Sequence, residues 1–265
     1  MHKTLNLTKK PLFMGILNVT PDSFSDGGKY FKLENALKHA QDMINQGADI
    51  IDIGGESTRP GAKPVSEEEE LKRIIPVIKE ISLLAARHSL IISVDTYKSN
   101  VAKIALEAGA NMINDASGLT MDLNMVKVAR GADCPIVIMH NRGIPATKPI
   151  TLDDCRGGSA TRPADVLQEI YSWLKKQTDY AIANGIKREN IIIDPGIGFG
   201  KSPEEDLFLI EHLNKFKSLE FPILVGPSRK SFIKKLFPKD DIKIKNNEMV
   251  QLAIKNGANV VRVHL

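Results

Sequence analysis

The chain has 265 residues, 42% hydrophobic and 26% charged, with 36 basic against 32 acidic side chains and a net charge of +4. That composition supports a large buried core and excludes disordered and fibrous classes, and no apolar run reaches the roughly 20 residues that a bilayer span needs. The positive excess suits a small anionic ligand and is too slight for nucleic acid or a membrane surface. Residues 1–6 have no signal-peptide character, and Cys134 and Cys155 have no Cys-x-x-Cys partner, so free thiols in a reducing, cytoplasmic compartment are expected.

In chain order, an apolar run over residues 12–19 predicts a first strand. A long polar loop, 18–28, follows it. Gly47-Ala48-Asp49 then leads into a second run, 50–54, followed by another rich loop, 54–61. Ser66 with Glu69 three residues on reads as a capping box that opens an amphipathic helix over 67–86. Further strands are predicted at 90–95, at 112–115 after Gly109-Ala110-Asn111, and at 136–140 after Gly131-Ala132-Asp133. Residues 141–163 read as a long loop, 163–184 as a helix, 191–194 as a strand, 204–215 as a helix and 223–225 as a short strand. Gly257-Ala258-Asn259 introduces the last strand, 260–264. In the four Gly-Ala repeats the glycine is expected to cap a helix in the left-handed conformation, and the β-branched run after it to be a parallel strand buried on both faces.

Eight strands alternating with helices imply right-handed crossovers in a parallel sheet, and eight units in a chain of this size favour closure. The expected fold is therefore a single α/β domain over residues 1–265, a (β/α)8 TIM barrel.

Active sites of such barrels lie at the C-terminal ends of the strands. Those ends carry Asn18, Asp52, Asp95, Asn114, His140, Asp194, the run Ser228-Arg229-Lys230-Ser231, and Arg262 with His264. One such carboxylate alone would read as a cap. A whole ring of polar groups reads as a site, because isolated buried charge is costly. Mixed acids and bases suit a ligand with donor groups on one part and an anion on another. Arg262 and His264 alternate along one strand and share a face, where with Asn18 they could hold one anion; otherwise Arg262 would pair with a nearby Asp. Ser231 is expected to open the helix after strand seven.

Two tempting motifs fail. Gly200-Lys201-Ser202 lacks the glycine five residues upstream that a phosphate loop requires, since Pro195 stands there, and residues 196–200 lack dinucleotide-fingerprint spacing. Zinc-site spacing and a Gly-x-Ser-x-Gly elbow are also missing.

The two loops, Ser93-Val94-Asp95-Thr96, Ile113-Asn114-Asp115, residues 194–201, Ser228-Arg229-Lys230-Ser231 and Arg262-Val263-His264 together resemble the dihydropteroate synthase family of pterin-binding barrels, from about Leu12 to His264. The resemblance implies condensation of 6-hydroxymethyl-7,8-dihydropterin pyrophosphate with p-aminobenzoate, in competition with sulfonamides, by a cytoplasmic homodimer. It implies that Asp95, Asn114, Asp194 and Lys230 bind the pterin, with Met139, Phe199 and Gly226 lining the ring pocket. Asn18, Arg262 and His264 would hold the pyrophosphate, with Asn18 and Asp26 serving Mg2+. Thr58, Arg59, Pro60 and Ser231 would form the aminobenzoate side, closed over by Pro21 and Phe24. Asp95, Asp194, Lys230 and Arg262 are the implied catalytic set. The family continues past the eighth strand into an eighth helix, whereas this sequence ends at Leu265, and polar residues 239–247 suggest a shortened seventh helix. The rival readings are a methyltetrahydrofolate-dependent corrinoid methyltransferase, which would need no pyrophosphate site, and a non-catalytic pterin-binding barrel.

Overall fold

Runs of Ile, Val and Met at period two leave no polar face, so these strands are stable only when covered on both sides. The computed structural model, which describes residues 10–20, 29–57, 62–85, 89–143 and 163–265, shows how they are covered. The strands are β1 (Leu12–Asn18), β2 (Ile50–Gly54), β3 (Ile91–Asp95), β4 (Met112–Asp115), β5 (Ile136–Met139), β6 (Ile191–Asp194), β7 (Leu224–Val225) and β8 (Val260–Val263). They form one parallel sheet in the order β6-β5-β4-β3-β2-β1-β8-β7. A parallel bridge from Ile193 to Ile223, with Ile193 N–H donating to Pro222 O at 2.9 Å, joins the two outer members. The sheet is thus a barrel, with its thinnest seam between β6 and β7.

Helices α1 (Lys29–Asn45), α2 (Glu67–Ala85), α3 (Ser99–Glu107), α4 (Met125–Ala132), α5 (Pro163–Ala183), α6 (Pro203–Glu211), α7 (Ser231–Leu236) and α8 (Ile242–Lys255) fill the crossovers. The expected cap at Ser66 is present, its hydroxyl accepting from Glu69 N–H at 3.2 Å. Three of the four repeat glycines, Gly47, Gly109 and Gly257, take positive φ at helix ends as expected. The fourth does not. Gly131 lies inside α4, and the left-handed residue is Asp133, at φ 49°. The helix expected over 204–215 stops at Glu211, and a 3-10 segment, Leu213–Leu219, continues it. The seventh crossover is not shortened: α7 and α8 share it, and residues 242–247 form the first turns of α8. Asp241 caps that helix, accepting from Lys243 and Ile244 N–H at 2.7 and 3.1 Å.

Alternation along the strands sorts the core into two shells. Leu12, Met14, Ile50, Ile91, Met112, Val137, Ile192, Leu224 and Val260 pack together inside the barrel and form its floor. Their neighbours, such as Ile51, Ile92, Ile113, Ile138 and Ile193, pack outward beneath the helices. Two residues beyond the floor on the same face come Asp52, Ser93, Asn114, Met139, Asp194, Gly226 and Arg262, so the parity that plugs the bottom also aims the polar layer above it. Ile192 is 1% exposed in that floor. Ile192→Ala is expected to cost about 3 kcal/mol, seen as a lower urea midpoint with an unchanged slope.

Candidate active site

The polar layer rests on one ion cluster. Arg262, carried inward by β8, donates from Nε to Asp52 Oδ2 at 2.6 Å and from Nη2 to Asp95 Oδ2 at 2.7 Å. Asp52 Oδ2 also accepts from Asn114 Nδ2 at 2.9 Å, which ties β2, β3, β4 and β8 together across the barrel mouth. Asp52 Oδ1 has no partner among the described residues. Burial works against the Arg262 charge, yet Asp52 and Asp95 outweigh it and hold its pKa above the ordinary value. Burial pushes Asp95 up to about 7 in spite of Arg262.

Above this cluster opens a cavity lined by Asp95, Asn114, Ala116, Met139, Asp194, Ile197, Phe199, Gly226, Lys230 and Arg262. Asp194 stands on one wall. Burial raises its pKa to about 6, against the Gly196 N–H that it accepts at 2.7 Å and the nearby Lys230. Lys230 Nζ lies 4.4 Å from the centre of the Phe199 ring, and burial, then Arg262, lowers its pKa to about 8. One pocket therefore offers acid acceptors, an amide, a cation and apolar faces on Met139, Ile197 and Phe199.

The structure brings together the residues expected around the ring, and it adds Ala116 and Ile197, to which neither the strand ends nor the resemblance gave a role. Arg262 takes the ion-pair alternative, with two of its nitrogens on carboxylates. His264 lies farther along β8's edge, its Nδ1 3.3 Å from Ser228 Oγ. Asn18 ends β1, and its Oδ1 would lie 3.7 Å from a Cβ placed on Gly54. Ser231 opens α7 as expected. Pro21, Phe24, Asp26, Thr58, Arg59 and Pro60 lie outside the described residues.

His140 does not belong to the ring. One step beyond inward-facing Met139, it points outward under α5. There it meets the Trp173 ring edge-on at 5.1 Å and places Nε2 3.6 Å from Glu169. Burial depresses its pKa to about 2, so it stays neutral. Asp115 also faces away and accepts from Ser117 and Leu119 N–H at 2.8 and 2.9 Å to shape the turn after β4. Two lysines were given no role by the motifs. Lys98 Nζ bonds Glu56 on one stem of the second loop, Val65 O at 2.7 Å on the other, and Glu70 at 2.6 Å. Lys201, set aside with the phosphate-loop motif, is 2% exposed beneath the loop after β6.

A parallel barrel with an aliphatic floor and a charged cavity at its strands' C-terminal ends defines a (β/α)8 enzyme. The pterin binding enzyme family matches residues 14–264. The chain is 46% identical to the dihydropteroate synthase of Clostridium beijerinckii over 87% of this chain and 79% of that protein. It is 45% identical to that of Bacillus subtilis over 98% and 85%. A crystal structure of the Clostridium difficile dihydropteroate synthase, determined in the presence of pteroic acid, superposes with a TM-score of 0.85 at 42% identity, covering 98% of this chain and 93% of that one. The chain belongs to the pterin binding enzymes and, among them, to the dihydropteroate synthases.

The raised Asp194 pKa has a consequence for stability. The folded state holds the proton more tightly than the unfolded carboxyl, whose value is 3.8. The stability contributed by protonated Asp194 is therefore complete below about pH 4 and lost as pH rises through about 6. Asp194→Asn, which keeps the shape without the charge, is expected to melt above the wild type at pH 8. The gap should close as the pH is lowered to about 4, as scanning calorimetry at the two pH values would show.

Proposed function

We propose that the chain joins 6-hydroxymethyl-7,8-dihydropterin pyrophosphate to the amino group of p-aminobenzoate, giving 7,8-dihydropteroate and pyrophosphate. The observation that carries this reading is the convergence of Asp95, Asn114, Asp194 and Lys230 on one cavity with apolar walls. A pterin presents a 2-amino group and an N3–H side by side, and a carboxylate at Asp194 accepts both. Asn114 donates to Asp52, which leaves its carbonyl oxygen to accept from the ring, while Lys230 donates to a ring acceptor. Met139, Ile197 and Phe199 supply the faces that a flat heterocycle needs.

The chemistry requires departure of pyrophosphate and attack by a neutral arylamine, with no enzyme nucleophile. Asp95 and Asp194 stabilise positive charge that spreads into the ring as the methylene C–O bond breaks. Arg262 keeps a positive charge in the cavity wall towards the leaving group, with Asn18 and His264 beyond it. Ser231, Thr58, Arg59 and Pro60 are assigned to the aminobenzoate side, and Pro21 and Phe24 to its cover, by likeness to the family. Sulfonamides, which resemble p-aminobenzoate, would compete there.

Mg2+ is the expected metal. Such an ion is held by one or two protein oxygens together with phosphate oxygens and water. Asn18, with Asp26, would be those protein ligands, and the bound ion would offset charge on the departing pyrophosphate. We place the enzyme in the cytoplasm, in keeping with the buried free thiol of Cys134, and infer a homodimer from the family likeness. No helix among the described residues is long and apolar enough to cross a membrane.

Purified protein with both substrates and Mg2+ should release pyrophosphate continuously in a coupled assay. Asp194→Ala should lower that rate at least about a hundredfold, which corresponds to about 3 kcal/mol of lost transition-state binding. Wild-type rates in this variant would remove Asp194 from the site. Chelation with EDTA should stop pyrophosphate release and leave binding of 6-hydroxymethylpterin intact, since the metal is assigned to the diphosphate alone; loss of pterin binding on chelation would contradict that assignment.

A further inference from the structure

The reaction as proposed gives Lys201 nothing to do, and an amine buried at 2% exposure needs strong compensation. Its Nζ lies 2.7 Å from Gly196 O, 3.4 Å from Phe199 O and 3.5 Å from His140 O. The loop after β6 curls around it through left-handed glycines, with φ of 71° at Gly196, 80° at Gly198 and 73° at Gly200. At Gly196 a Cβ would come within 1.8 Å of His140 O, so only glycine brings the carbonyls so close. The curl turns the carbonyls of Gly196 and Phe199 towards the ammonium and sends the side chains of Ile197 and Phe199 into the cavity. The N–H groups of the same loop are held by acids, Gly196 by Asp194 and Gly198 by Asp206, each at 2.7 Å. Anions thus satisfy one polarity of this backbone and Lys201 the other. Such charge-assisted bonds are stronger than neutral ones, and losing the cation would leave converging carbonyl dipoles without their shared donor.

We propose that Lys201 is a positioning residue for recognition of the pterin: its ammonium, seated among three backbone carbonyls, is a tethered cation that holds the loop in the shape presenting Ile197 and Phe199 to the ring. This rests on the pterin reading of the cavity. Lys201 does not line the cavity and acts through Phe199, which it keeps beneath Lys230.

A double-mutant cycle with Phe199 separates this role from a general effect on stability. Binding of 6-hydroxymethylpterin is followed by fluorescence titration, and KM for p-aminobenzoate by pyrophosphate release. Lys201→Met should weaken pterin binding about tenfold or more and leave KM for p-aminobenzoate within about twofold. In a Phe199→Ala background the same substitution should weaken pterin binding by less than about threefold. Equal losses in the two backgrounds, equal losses on both substrates, or unchanged pterin binding in Lys201→Met would each overturn the proposal. Should Lys201→Met fail to fold, Lys201→Arg carries the same cycle. It keeps the charge on a planar group that cannot point at three carbonyls from one atom, and its smaller loss should likewise vanish without Phe199. A wild-type protein that binds no pterin would take the functional reading and this one together, whereas pterin binding indifferent to residue 201 would remove only the second.

Discussion

The bridging of two buried carboxylates by Arg262 is the interaction on which the rest of the mouth depends. Desolvating an arginine and two aspartates is expensive, and their mutual attraction offsets the cost only where the geometry is good and remaining polar atoms find partners. Asp52 meets that demand through Oδ2 alone, which accepts from Asn114 as well, while its Oδ1 is left without a partner among the described residues. At Asp95 burial outweighs Arg262, so its proton is held up to about 7 even beside a guanidinium. The cluster therefore joins four strands, while burial raises the pKa of the cavity acids against the pull of Arg262. A pterin edge that donates hydrogen bonds would be what restores their full charge.

The cavity exists because the lower barrel is filled. Below the polar layer the floor residues exclude water, so the acids above them face a low dielectric on one side and the opening on the other. That asymmetry raises Asp194 and Asp95 and lowers Lys230, since burial disfavours the charged form of each. Strain against folding and readiness for a polar ligand are here the same physical fact.

Around the cavity, charged side chains that touch no ligand shape the loops. Lys98 pins both stems of the second loop, and Arg142 bonds Glu169 at 2.7 Å and Glu205 at 3.0 Å, fastening the segment after β5 to α5 and α6. Lys201 does the same from inside the loop after β6. Long cationic side chains serve well here because one amine or guanidinium satisfies several carbonyls or carboxylates at once.

The amino-acid order alone determined the strands, their parallel barrel and the inward residues other than His140. Period-two alternation and the spacing of helix-ending glycines are local properties, and parity counted from Val137 through Met139 already turns His140 outward. Asp194 could be set at the rim because it closes a strand, and Lys230 because it lies in the polar run after one, whereas Phe199 came only from the family resemblance. Only the tertiary structure decided who pairs with whom. That Arg262 closes on Asp52 and Asp95, 210 and 167 residues away, that Asp133 rather than Gly131 turns left-handed, that α7 and α8 divide one crossover, and that Lys201 is swallowed by its own loop all depend on which groups meet after closure. Those contacts join positions far apart in sequence through distance and burial, and no pattern along the chain encodes either quantity directly.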